Sequence, residues 1–125
     1  MAVDSGASAT VISEDMIPAV PMTGGRSGVM YEIADGTRIP NMGEKCFKAH
    51  TEGGLIKKMR ADVADVNKAL LSVSQVVKAG SKVLFAPDGS YIQDSSGECI
   101  PLKESNGMYM LSLWVKAGDA SVSPF

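Results

Sequence analysis

The last third of the chain is cut by turn-forming groups at near-even intervals: Pro87-Asp88-Gly89-Ser90, Ser95-Ser96-Gly97-Glu98 and Ser105-Asn106-Gly107. Each joins residues that preset φ, tolerate φ > 0 or hydrogen-bond their own backbone. They recur about every eight to ten residues, which leaves room for strands and none for helices. Residues 82–86, 91–94, 99–102 and 108–115 therefore read as strands of an antiparallel meander or small barrel. The middle of the chain has the same punctuation. Residues 29–33 and 37–39 flank a tip at Ala34-Asp35-Gly36-Thr37, and Asp-Gly is a strong hairpin signal. Residues 44–51 and 55–66 form a longer hairpin around Glu52-Gly53-Gly54.

One stretch breaks the strand pattern. Ser72-Val73-Ser74-Gln75 has the form of a capping box, in which Ser72 caps a helix and Gln75 reaches back to it. Val73, Val76 and Val77 repeat at helical spacing, and Gly80 ends the run. This predicts a helix of about two turns, held by packing because its β-branched residues are weak helix formers.

Composition narrows the function classes. The chain has 125 residues, one domain's worth, and 45% are hydrophobic, enough for a core. A net charge of -2 without a basic cluster gives no electrostatic footprint for nucleic acid. The densest basic run, Lys57, Lys58 and Arg60, reads as the solvated face of a strand. No apolar stretch approaches a membrane span, and no secretory signal is evident, which favours an intracellular, cytoplasmic and reducing setting. Cys46 and Cys99 are expected as reduced core thiols. With the single histidine, His50, they give too few ligands for a zinc site, so no metal or other cofactor is expected. His50 reads as a partly exposed strand residue, and Tyr109 and Trp114 as core or rim packing. Residues 1–115 are taken as one domain and 116–125 as a small, polar, flexible tail.

The stretch with the most chemical content is Val3-Asp4-Ser5-Gly6-Ala7. Hydrolysis by paired carboxylates needs one to activate water and one to hold a proton. Two such groups roughly 3 Å apart share a proton and titrate together. Asp4 would need a tightly turned backbone, Gly6 permits close approach because it lacks Cβ, and the Ser5 hydroxyl can lock the geometry. An ordinary turn is the competing reading, since Asp, Ser and Gly are common turn formers. Apolar residues on both sides of the motif favour a turn between buried strands. It occurs once, so a second aspartate must come from elsewhere.

Further blocks follow in order: Ile33-Ala34-Asp35-Gly36-Thr37-Arg38-Ile39-Pro40, Ala69-Leu70-Leu71-Ser72-Val73-Ser74-Gln75-Val76, Val83-Leu84-Phe85, Tyr91-Ile92-Gln93-Asp94 and Asn106-Gly107-Met108-Tyr109-Met110-Leu111. Together with Asp4-Ser5-Gly6-Ala7, this series resembles the protease segment of copia-type retrotransposon Pol polyproteins, over roughly Val3 to Val115. The resemblance implies a mainly β fold: a retropepsin-like antiparallel β-barrel with one short helix and a C-terminal meander. It implies an aspartic endopeptidase acting on a polypeptide as a homodimer, one aspartate per chain, without metal. Asp4 would be catalytic. Ser5, Gly6 and Ala7 would form its loop, with Leu70, Leu71 and Ser72 behind it. Ala34, Asp35, Gly36 and Thr37 would form the flap, although Gly36 is its only glycine. Only three residues precede Asp4, so the loop is expected to fray. The alternative is a non-catalytic β-barrel acting in assembly or peptide binding.

Overall fold

A computed structural model describes residues 1–24, 30–32, 38–116 and 118–120, with backbone alone for 30–32 and 38. Its strands in chain order are β1 (Ala2–Asp4), β2 (Val11–Ile12), β3 (Met30–Glu32), β4 (Arg38–Pro40), β5 (Gly43–Thr51) and β6 (Ile56–Val63). After β7 (Leu70–Ser72) comes the single helix among the described residues, α1 (Val73–Lys78). Then follow β8 (Lys82–Leu84), β9 (Ser90–Gln93), β10 (Cys99–Ser105), β11 (Met108–Met110) and β12 (Leu113–Trp114). The fold is mainly β with one short helix.

Ten strands form one sheet in the order β12-β5-β6-β2-β7-β1-β11-β10-β9-β8, and β3 pairs with β4 apart from it. This corrects the antiparallel barrel in two respects. The sheet is mixed, because β1 runs parallel to β7 and β2 parallel to β6. Among the described residues it is also unclosed, with β12 and β8 at opposite ends. The expected C-terminal meander is present as β8-β9-β10-β11, each pair antiparallel. The β5–β6 hairpin also forms, from Gly43↔Val63 to His50↔Ile56. The β3–β4 pair matches the first hairpin, but its proposed flap tip, Ala34, Asp35, Gly36 and Thr37, lies outside the described residues.

Two apolar clusters form the core. Val3, Leu71, Ile92, Ile100, Leu102 and Leu111 make one, Ile12, Val20, Phe47, Ala49, Ala61 and Val63 the other. Met1, Met59 and Leu113 pack against both. Inward positions of β5 alternate as Lys45, Phe47, Ala49 and Thr51, all buried, which is the period-two signature of a strand with one face on the core. Lys45 is the anomaly at 3% exposure. Its ammonium donates to the carbonyls of Glu14 (3.0 Å), Met16 (2.9 Å) and Ile17 (3.0 Å). That tripod offsets the cost of burying the charge. It also holds a loop in which Ile17 has φ of 57, costly for a β-branched residue.

The helix differs in detail from its expectation. Ser72 is its N-cap, and the Ser72 Oγ accepts from the Gln75 amide at 3.2 Å. The return half of the capping box is absent: the Gln75 side chain donates to Ser8 O at 3.0 Å, and the Ser72 amide donates to Thr10 Oγ1. At the other end Gly80 adopts φ of 99. The Gly80 amide donates to Val77 O and the Ser81 amide to Val76 O, the paired bonds of a Schellman stop. Six residues give fewer than two turns, so Val73 and Val76 reach the core while Val77 stays exposed.

Three further expectations are corrected. The strand read at 108–115 breaks after Met110: β11 joins β1, and β12 crosses to the far end of the sheet beside β5. Of the tail read as 116–125, residues 118–120 are tied down, since Ala120 bridges to Phe47 and the Lys48 amide donates to Asp119 O at 2.8 Å, while residues 117 and 121–125 lie outside the described residues. Of the basic run, only Lys58 is exposed. Lys57 pairs with Asp94, and Arg60 with Glu44 and Asp62. No described helix is long and apolar enough to cross a membrane.

Candidate active site

Strand β1 carries Asp4 into the middle of the sheet. Ala2, Val3 and Asp4 lie opposite Leu70, Leu71 and Ser72 of β7, while Ala2 and Val3 face Met110 and Tyr109 of β11. The chain start is bonded on both sides. The Met1 ammonium donates to Leu111 O at 2.8 Å, Leu111 N to Met1 O at 2.9 Å, and Ala2 N to Ala69 O at 3.1 Å. Fraying of the Asp4 loop is thereby corrected, because backbone pairing to two strands holds residues 1–4 in place. Partial burial also pushes the Met1 ammonium below its ordinary pKa.

The loop is built around the Asp4 carboxylate. Asp4 is half-buried, and its Oδ1 accepts from the Gly6 amide at 2.8 Å. A Cβ on Gly6 would stand 3.3 Å from that oxygen, so the close approach that glycine permits is to the loop's own carboxylate. Ser5 and Gly6 are exposed, and Ala7 is half-buried. Behind them Ser72 is 0% exposed, and its Oγ donates to Ala7 O at 2.7 Å. Thr10 and Gln75 complete the attachment of residues 7–10 to the β7–α1 junction. Their roles were missed at the sequence level. For Gln75 the helix-cap signal pointed to the wrong partner. Thr10, a buried threonine before a short apolar strand, carries no distinctive signal.

An apolar hollow of about 490 Å3 opens beside Asp4. Its walls include Ser5, Leu70, Phe85, Met108 and Tyr109. The Phe85 and Tyr109 rings pack with centroids 4.7 Å apart, tilted by 49°. Asp4 is the single carboxylate among the described residues that line it. The described residues thus offer one acid at the edge of an apolar surface, and the two-carboxylate mechanism needs another beside it.

The other candidate residues are not gathered at this site. Cys46 is buried on β5, whereas Cys99 is exposed, which corrects its assignment to the core. His50 is half-buried on β5 and meets Asp119 at 2.9 Å. No three of His, Cys, Asp and Glu cluster as metal ligands among the described residues. Trp114 lies half-exposed at the rim, while Tyr109 packs on the first core cluster. No protein-family model and no curated protein matches the chain.

Proposed function

We propose that the chain is a retropepsin-like aspartic endopeptidase unit of a retrotransposon polyprotein, active as a homodimer that brings two Asp4 carboxylates together. The observation that carries the reading is the seating of Asp4. It ends a central strand, lies in register with buried Ser72, and borders an apolar hollow. A carboxylate held by a backbone amide, on a loop fixed to a buried strand, is preorganised for acid–base work. Polypeptide is the substrate class that suits an apolar hollow beside such a group. In this reading water is activated between Asp4 and its symmetry mate, which share one proton.

The test is cleavage of a peptide library by the purified protein, with sedimentation of the same sample. Cleavage should rise with the dimer fraction, and Asp4→Asn should lower kcat by about 10³-fold while leaving dimerisation intact. Full activity in the Asn variant, or in a strict monomer, refutes the reading. The alternative, a non-catalytic assembly or peptide-binding module, is favoured by one observation: among the described residues, Asp4 is the one carboxylate at the hollow. A monomer at high concentration that cleaves nothing would establish that alternative.

A further inference from the structure

A second and larger hollow, about 790 Å3, does not have Asp4 in its lining, although Ser8, Thr10, Leu71 and Gln75, which back the Asp4 loop, border it. It exists because β2 is only two residues long. Val11 and Ile12 pair with Asp62 and Val63, and there the ladder stops. The earlier half of β6 keeps β5 on one side. Among the described residues, no strand pairs with residues 57–60 on the other side. That open backbone edge faces the hollow, so Lys57, Lys58, Met59 and Arg60 all line it, although alternate residues of a strand point to opposite faces.

The remaining surfaces define an occupant. Leu71, Ile92, Ile100 and Leu111 form an apolar floor drawn from the first core cluster. Two lining cations are already matched, Lys57 by Asp94 and Arg60 by Asp62. Lys58 is exposed, has no acidic partner among the described residues, and stands directly across the ladder from Lys48, equally unmatched. Like charges in that relation repel. An open strand edge, an apolar floor and the unmatched charge of Lys58 are complementary to one class of ligand. We infer that this cleft binds an extended polypeptide segment that adds as a strand to the free edge of β6, sets alternate apolar side chains on the floor, and presents acidic side chains to Lys58. Strand addition satisfies the edge with main-chain bonds and leaves selectivity to alternate side chains. The volume lies within the usual range of ligand sites.

The probe is a blocked heptapeptide alternating valine and glutamate, titrated into the full chain by fluorescence anisotropy. Amide exchange locates it. Protection should appear at residues 57–60, not at the terminal strands of the sheet, Lys82–Leu84 and Leu113–Trp114. Two N-methylated isomers, one blocked at the valines and one at the glutamates, separate strand addition from simple apolar contact. Only amides facing β6 matter, so one isomer should bind about tenfold more weakly and the other close to the parent. Lys58→Glu, an exposed and structurally mild change, should weaken the glutamate peptide about fivefold and favour a valine–lysine peptide instead. The inference is overturned by no binding, by equal binding of both isomers, by protection elsewhere, or by indifference to Lys58→Glu. None of these outcomes depends on cleavage, so the cleft and the Asp4 reading stand or fall separately.

Discussion

Ser72 joins three parts of the molecule through one small side chain and its amide. Its Oγ donates to Ala7 in the Asp4 loop and accepts from Gln75 in the first turn of α1, while its amide donates to Thr10 ahead of β2. A glycine or alanine here keeps the strand and the amide bond to Thr10 but loses both side-chain bonds, to Ala7 and Gln75. Ser72→Ala removes the helix cap, a loss of about 1 kcal/mol, and leaves the Ala7 carbonyl without its donor, about 1 kcal/mol more. Chemical denaturation should show a loss of about 2 kcal/mol in all. Amide exchange should quicken in residues 5–10 before it does in β5 or β6. Unchanged exchange in the loop would mean that Ser72 serves the helix alone. The loop depends on this anchor because Ser5 and Gly6 are exposed and bury nothing of their own.

At the level of elements, the segment after β12 behaves as a strap across β5. Trp114 lies opposite His50 and Ala120 opposite Phe47, so the strap advances six residues while β5 advances three. The surplus is closed by Asp119, whose Oδ2 accepts from the Lys116 amide at 2.7 Å and meets His50 Nε2 at 2.9 Å. The Lys116 amide first, then His50, holds the Asp119 carboxyl below its ordinary pKa. Asp94 is depressed likewise, chiefly by Lys57 and then by Ser96. A carboxylate with a depressed folded pKa contributes stability above its unfolded value and loses it as pH falls through the folded one. Thermal midpoints should thus hold steady from neutral pH to about 5 and decline below about 4. Asp119→Asn should flatten part of that acid limb and speed exchange in residues 116–120, and an unaltered limb would remove Asp119 from the account. The strap also shows where the sequence was legible. The β5–β6 hairpin and the β8–β11 meander are local pairings written in alternation and in Gly53-Gly54, Gly97 and Asn106-Gly107. The parallel pairs β1–β7 and β2–β6 join distant segments and leave no local periodicity. The strand at 108–115 divides between an interior place beside β1 and the end of the sheet beside β5, without a glycine or proline to mark the break. The approach of Leu70-Leu71-Ser72 to Asp4 was anticipated through the family resemblance, whereas Lys45 inside the core was unforeseen because a lysine at an inward strand position normally argues against burial.

Across the whole molecule, the question is whether two apolar clusters and an open sheet unfold together. The cluster behind Asp4 draws on β1, β7 and the meander, and the other draws mainly on β2, β5 and β6. Direct strand pairing between these halves is thin, since β2 meets β7 through the single pair Val11↔Leu70. Met1, Met59 and Leu113 compensate by packing against both clusters, and the Lys57–Asp94 ion pair joins β6 to the turn after β9. Methionine suits such a seam because its flexible thioether fills irregular space. Met59 is half-buried, so Met59→Ala should cost about 2 kcal/mol, the low end for a core truncation. Its second effect identifies the seam. In the parent chain, Trp114 fluorescence, which reports on the β5–β12 side, should melt together with circular dichroism of the whole sheet, as two-state unfolding requires. In Met59→Ala the two curves should separate, because the halves lose their shared packing before either loses its own cluster. Phe47→Ala, a truncation wholly inside one cluster at 1% exposure, should cost more, about 3 to 5 kcal/mol, yet lower the stability of that half first. If Met59→Ala lowers the midpoint while both curves still coincide, the halves are coupled through the strands themselves, and the methionine seam is packing without a separate role in cooperativity.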